Sequence, residues 1–422
     1  YVNKVIISIV TNPYETKALV TSGTEFNKKL KSLLEDEPTE IKYFRRSSVS
    51  PVSTANVKNI EDEDSDYEIK LWLDPTTESV YYYSDSEKIY LNEDSSYMFE
   101  ANGWWDKRNN LTSVDMSGFN TEKVKNMSYM FIRINRLTVL NLSNFNTSNV
   151  TTMEGIFECD GECTHDFKIN LSSFNTRKLI NAKNMFKFLV GTKKLDLSSF
   201  YTPNLINMEG MFSHCSALTD FKIPNITTDN VVNMKDTFAV FGYNKLDITN
   251  FNTSRVANFE GTFSGMLADN DLDLSNLDTS SAINMSEMFM GNQTKKIILS
   301  HKFNTTKVTD MTSMFSSMHN IAELDLSNTI FDTSKVIKFS GIFSYGSYGS
   351  RSKLQKIYVN QDFDIIEAKK YIQENNLPDE GFFERQEILR GGNGSFKSNP
   401  SEADLTWLRI DRPGAPGYFT QK

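Results

Sequence analysis

Residues Leu137 to Phe157, LTVLNLSNFNTSNVTTMEGIF, are one copy of a unit that recurs along most of the chain. A close copy precedes it at Leu111 to Phe131, LTSVDMSGFNTEKVKNMSYMF. Others follow at Leu195 to Phe212, LDLSSFYTPNLINMEGMF, and at Leu272 to Phe289, LDLSNLDTSSAINMSEMF. A tandem repeat constrains a fold more than any other feature, because one unit cannot bury its apolar face alone and must stack on its neighbours. The period is marked by closing phenylalanines at Phe99, Phe131, Phe157, Phe186, Phe212, Phe238, Phe263, Phe289, Phe315 and Phe343. The longer steps read as insertions in loops.

Each unit divides into two patterns. In the first half, Val114-Asp115-Met116-Ser117 and Leu324-Asp325-Leu326-Ser327 alternate apolar with polar, the period of a half-buried strand. The inward set is then Val114 and Met116, Leu195 and Leu197, Leu324 and Leu326. The second half changes period at a threonine. After Thr147, residues Val150, Met153, Ile156 and Phe157 fall on one face of a short helix or 3-10 segment, with the threonine hydroxyl as its N-cap. The expected fold class is an α/β repeat solenoid, leucine-rich-repeat-like. Each unit of about 26 residues, inside the ~20–29 range of such repeats, has one short parallel strand and a short helical or 3-10 return. Caps are expected at both ends.

The unit L-D-L-S-x-F-x-T-x-x-V-x-x-M-x-x-M-F resembles the BspA-like leucine-rich repeats of bacterial surface proteins, strongly from Ile69 to Asn360. The flanks TSGTEFNKKLKSLL and GGNGS with TWLRIDRPGAPGYFT share the resemblance. It implies a secreted or surface-displayed adhesion and interaction module, extracellular or on the bacterial cell surface, and it carries no catalytic residues with it.

The formal net charge of −9 and a pI near 5.2 argue against nucleic acid or an anionic membrane as partner, since both require a basic footprint. No apolar run reaches the ~20 residues of a membrane span. The chain starts at Tyr1, read as a mature start with any leader removed. The expected layout is a non-repeat α/β flank over 1–66, a β-hairpin cap with a degenerate first repeat over 67–110, the repeats over 111–360, and a C-terminal cap with a Gly/Pro-rich tail over 361–422.

Within the flank, Lys4 to Val10 reads as a strand, and Phe26, Leu30, Leu33 and Leu34 have the spacing of an amphipathic helix. Ile41 to Phe44 reads as a further strand. The acidic run Glu61 to Asp66 lacks the glycine of an EF-hand loop and reads as a solvated linker. Glu68–Asp74 and Ser79–Tyr83 flank a turn at Pro75 and predict the capping hairpin. Trp104 and Trp105 are either an exposed binding knob or packing within the cap. Past the repeats, Lys353 to Val359 reads as one more strand, Ile365 to Asn375 as a helix, and Trp407 to Ile410 as a strand. Gly391-Gly392-Asn393-Gly394 lacks the Lys-Ser/Thr of a phosphate loop and reads as a turn.

Cys159 and Cys163 leave three readings open: free thiols, a small disulfide loop, or, with His165, an incomplete zinc set. Cys215 reads as a small core residue. The asparagines Asn126, Asn181, Asn207, Asn233, Asn258 and Asn284 recur five residues after the unit's threonine and read as backbone-bonding turn residues. No catalytic, cofactor-binding or metal-binding residue and no cofactor is assigned. The function expected is non-enzymatic binding or adhesion to an unknown extracellular protein or glycan, against the alternatives of a carbohydrate-active enzyme or a structural spacer. The binding residues proposed lie on the concave strand face: Asp115, Lys194, Asp196, Lys222, Lys245, Asp247, Asp271, Asp273 and Asp325. Their charge varies from unit to unit while the buried pattern stays fixed.

Overall fold

A computed structural model describes residues 16–35, 40–53, 56–102, 105–159, 163–243, 245–346 and 350–422. The strand expected at Lys4–Val10 and the side chain of Trp104 lie outside these residues. Strand β1 (Ala18–Leu19) leads into helix α1 (Gly23–Leu34), which buries Phe26, Leu30, Leu33 and Leu34. Ser22 caps it, its hydroxyl accepting from the Glu25 amide. Strands β2 (Tyr43–Arg46) and β3 (Val57–Asn59) follow, then the antiparallel hairpin β4 (Lys70–Asp74) and β5 (Ser79–Tyr83), then β6 (Ile89–Tyr90). The hairpin turn is closed by Asp74, whose carboxylate accepts from the Thr76 amide and hydroxyl. Strand β2 runs parallel between β5 and the first full repeat strand, β7 (Ser113–Asp115), with Phe44 in register with both Val80 and Val114. The flank thus enters the repeat sheet itself.

The remaining strands are β8 (Phe119–Asn120), β9 (Val139–Asn141), β10 (Lys168–Ile169), β11 (Lys194–Asp196), β12 (Asp220–Lys222), β13 (Asp271–Asp273), β14 (Lys296–Ile298), β15 (Glu323–Asp325), β16 (Lys356–Val359) and β17 (Phe419–Gln421). Pairing between successive repeat strands is parallel. Val114, Met116, Leu195, Leu197, Leu324 and Leu326 are buried, as their alternation requires. The ladder is fragmented, however, into β10-β9-β7-β2-β5-β4-β3, β11-β12, β13-β14 and β15-β16-β17. No strand forms at Lys245–Asp247, where one was expected. The bulky Phe221 stands at the inward position of β12, and its ring meets Phe241 at 5.2 Å and Tyr243 at 6.0 Å. These rings meet beside the break in the ladder.

The return half corrects the sequence reading. Among the described residues it holds no helix or 3-10 segment, only turns and isolated bridges. The residue eight past the threonine has positive φ in every full unit: Tyr129, Gly155, Asn184, Gly210, Asp236, Gly261, Glu287, Ser313 and Gly341. A left-handed residue at that point ends any right-handed helix. Alternate amides then turn to the next unit: Met127 N–H to Thr152 O at 3.0 Å, Tyr129 to Glu154 O at 2.7 Å, Phe131 to Ile156 O at 3.1 Å. The same pattern recurs from unit to unit, and isolated parallel bridges run unbroken from Asp94 through Asn126, Thr152 and Asn181 to Lys338. The continuous ladder therefore lies on the return, and the broken one on the strands.

The unit threonine is not a helix N-cap either. It is buried and bridges units: the Thr253 hydroxyl donates to Asp278 O (2.8 Å) and accepts from Asp278 N–H (2.9 Å), and Thr147 does the same with Asn175. Thr253→Val keeps the shape and strands both groups. We expect a loss of about 1–3 kcal/mol in urea unfolding, and no loss would mean that water replaces the hydroxyl.

The core is a file of phenylalanine rings. From Phe99 through Phe131, Phe157, Phe186, Phe212, Phe238, Phe263, Phe289, Phe315 and Phe343 to Phe383, neighbouring rings stack with centroids 5.5–6.0 Å apart. Phe26 and Phe44 close one end against Phe99. At the other end, Phe343 and Tyr345 donate to Phe382 O and Glu384 O, so Phe382–Arg385 imitates a return. Helix α2 (Ile366–Glu374) forms within the stretch expected. Trp407–Ile410 is not the strand expected. Leu405–Trp407 is a 3-10 turn, and β17 pairs with β16 in its place. No helix of the described residues is long and apolar enough to cross a membrane.

Candidate binding face

Strands β7, β9, β11, β13 and β15 end on an Asp or Asn whose side chain accepts from the amide two residues on, and Asp247, where no strand forms, does the same. Asp115 takes Ser117 (3.0 Å), Asp196 takes Ser198 (3.0 Å), Asp247 takes Thr249 (3.0 Å), Asp273 takes Ser275 (2.9 Å) and Asp325 takes Ser327 (3.0 Å). These are Asx turns, which stop the strand and start the corner. The carboxylates proposed as binding residues thus also have a structural duty. The Thr249 hydroxyl and amide hold the Asp247 carboxyl below the usual carboxylate range, and Ser198, with Lys222 behind it, does the same for Asp196.

Lysines at the same strand positions of neighbouring units answer some of these carboxylates. Lys194 pairs with Asp220 at 3.4 Å and Lys222 with Asp196 at 3.5 Å, crossing between β11 and β12. Asp325 is tied to Lys422 near the chain end. Asp271 and Asp273 stand exposed on β13, and Asp115 sits in the seven-stranded sheet. The nine residues therefore spread over separate sheets. Three of them do converge. Where the ladder breaks, Lys222, Lys245 and Asp247 line a crevice of about 430 Å³ with Tyr243, Thr249 and Asn250. A second crevice of about 420 Å³ shares Pro224 and Asn250 with it and adds Arg177, whose guanidinium lies over the Tyr201 ring at 5.0 Å.

The asparagine column bonds backbone, as read from the sequence: Asn126 accepts from the Ser128 amide, and Asn207 from that of Glu209. Its Nδ2 groups also donate to carboxylates of the preceding unit, Asn233 to Glu209 and Asn284 to Glu260. A second charge column was missed beside it: Glu154, Lys183, Glu209, Lys235 and Glu260, one per unit, with alternating sign. Lys183 pairs with Glu209 at 3.2 Å and Lys235 with Glu260 at 2.8 Å. The signal was a period of two units, visible only once single units are set side by side.

Cys159 and Cys163 form a disulfide, with Cα atoms 6.0 Å apart. Cys215 is buried, and burial pushes its thiol up to about 12. Trp105 is 98% exposed, which corrects the reading of it as packing within the cap. Glu61 and Asp66 of the acidic run accept from the amides of Ile69 and Lys17, so the run helps to fasten its loop. The Gly391–Gly394 turn wraps the Asp411 carboxylate, which accepts from the Asn393 and Ser395 amides.

Three overlapping stretches, 93–219, 188–296 and 262–356, match a family described as Mycoplasma protein of unknown function, DUF285. Together they cover more than half of the chain, in tandem, as a repeat protein requires. No curated protein and no solved structure matches the chain.

Proposed function

We propose, from the premise that this chain belongs to the Mycoplasma family DUF285, that it is a non-enzymatic binding module. In this reading the repeats are a leucine-rich-repeat-like solenoid of the BspA-like kind, displayed outside the cell. An extracellular protein or glycan docks on the strand face. The observation that carries the reading is the crevice at the broken ladder, where Lys222, Lys245, Asp247 and the Tyr243 ring share one opening. An aromatic face with flanking charges and amides is the composition of a recognition site for a large polar partner. The Cys159–Cys163 bridge supports a location outside the reducing cytosol.

The test is a matrix-protein and glycan array probed with the chain and with Lys222→Glu/Lys245→Glu. Both lysines are exposed, so the fold should survive, unlike a change at the turn-capping Asp247. Binding that falls about tenfold or more in the variant places the partner in the crevice. Unchanged binding moves the site elsewhere. No binder at all favours the spacer, and a bound glycan released as cleaved product favours the enzyme.

A further inference from the structure

The return face carries an aliphatic stripe beside its charge column. Ile180, Ile206, Val232 and Ile283 are 42, 43, 39 and 51% exposed, with Ala257 between the last two. The stripe is rigid, because consecutive members are hydrogen-bonded: Ile206 N–H to Ile180 O at 2.9 Å, Val232 to Ile206 at 3.0 Å, Ala257 to Val232 at 3.0 Å, Ile283 to Ala257 at 2.8 Å. At ~4.8 Å per unit it is roughly 20 Å long. A contiguous apolar stripe of this kind marks an interaction surface more often than scattered exposed residues do. At its C-terminal end the chain covers the same column itself: Tyr371, Ile372 and Leu377, on and just past α2, line one crevice with Ile337.

We propose that the uncovered part of this face pairs with a second copy of this chain, antiparallel, about a two-fold axis lying across the columns between the units of Glu209 and Lys235. The charge column selects a partner of its own kind, and charge and stripe together select the register. With the axis there, Glu209 faces the second copy's Lys235, Lys183 faces its Glu260, and Ile206 faces its Val232. One half-step of the axis, onto Glu209 itself, sets Glu154 against Glu260 and Lys183 against Lys235, like against like. An axis one unit earlier also pairs unlike charges, Lys183 with Glu209 and Glu154 with Lys235, but it sets Val232 against Thr151, so charge and stripe together favour the axis between Glu209 and Lys235 for a self-complementary two-fold interface. Exposed ion pairs add little energy by themselves, so the stripe supplies the attraction and the charges the alignment. Three columns by five units make a smaller face than the ~800 Å² per partner of a standard complex, so the dimer is reversible.

Sedimentation equilibrium of the full chain, from low micromolar to near-millimolar concentration, tests this. The wild-type chain should pass from monomer to dimer. Val232→Glu, on the exposed stripe, should weaken dimerisation about tenfold or more with unchanged circular dichroism. Glu209→Lys and Lys235→Glu should each weaken it, because each sets like charges across the axis, and the double exchange should restore it. A chain monomeric throughout, or a dimer indifferent to both Val232→Glu and the single charge changes, overturns the proposal. If Val232→Glu fails to fold, the charge exchange decides alone: the pairing stands only if the double variant recovers what the singles lose. The array experiment on the crevice is independent of this outcome.

Discussion

Phe212→Ala is expected to cost about 3–5 kcal/mol, with the damage confined at first to the units around it. Phe212 is fully buried. Its ring stacks on Phe186 at 5.9 Å and on Phe238 at 5.6 Å, and meets Phe221 edge-on at 5.1 Å. Truncation opens a hole in the middle of the ring file. The inter-unit hydrogen bonds on either side keep the neighbours from closing it, and an interior that cannot relax retains the full cavity cost. In a solenoid each unit contacts only the next, so native-state hydrogen exchange should show protection falling between about Phe186 and Phe238 before it falls at the ends. An even loss across 111–343 would show one globally cooperative core and count against the solenoid.

Asp106→Ala is expected to cost a similar 3–5 kcal/mol, at the N-terminal end. The Arg108 side chain is fully buried, and its charge is met by Asp106: Nε donates to Oδ1 at 2.8 Å, and Nη2 is paired with Oδ2. Nη1 donates to Asn27 Oδ1 at 2.7 Å, and the Asn27 amide in turn donates to Tyr97 O and Glu100 O. This chain of bonds pins α1 over the end of the return ladder. Without Asp106 the guanidinium is buried with no counter-charge, which is the expensive way to break a pair. Burial alone would raise the Asp106 carboxyl, but the bonds from Arg108 and the Asn102 amide outweigh it and hold it below the usual range. A depressed folded value means that this stability is complete above the unfolded value of about 3.9 and drains away as pH falls through the folded one. Urea unfolding from pH 7 downward should therefore separate wild type from Asp106→Asn at neutral pH and narrow the gap as the pH falls below the unfolded value. A loss below about 1 kcal/mol at pH 7 would place the pair among exposed ones and contradict the burial.

The period, the buried strand positions and the ring file follow from side-chain chemistry repeated at fixed spacing. Burial of Val114, Leu195, Leu324 or Phe212 does not depend on which hydrogen bonds form nearby, so a pattern of apolar residues suffices to find them. The hairpin at Asp74–Ser79 and helix α1 are local in the same sense, since turn, cap and spacing lie within a few residues. The asparagine column was legible because an Asx turn closes on its own backbone two residues away. At the candidate site, the charges of Lys222, Lys245 and Asp247 were legible, and their convergence was not. The crevice lies where Phe221 meets Tyr243 and Phe241 across two units, a contact that no single unit's pattern contains.

What the sequence by itself determined is the repeating unit, its inward face and the order of strand, corner and return. Only the tertiary structure decided which half of the unit carries the continuous ladder. Apolar residues three apart suit a helix and a string of turns equally well, and Tyr129 and Glu287 give no local sign of the left-handed backbone they adopt. The choice was made by backbone amides with two possible partners, one within the unit and one in the next. In the stacked chain the next unit supplies acceptors at 2.7–3.1 Å to Met127, Tyr129 and Phe131, and a carbonyl some 25 residues away leaves no trace in the pattern around the donor. The Cys159–Cys163 bridge was decided the same way: the spacing allowed thiols, disulfide or metal, and the fold brought the two Cα atoms to 6.0 Å.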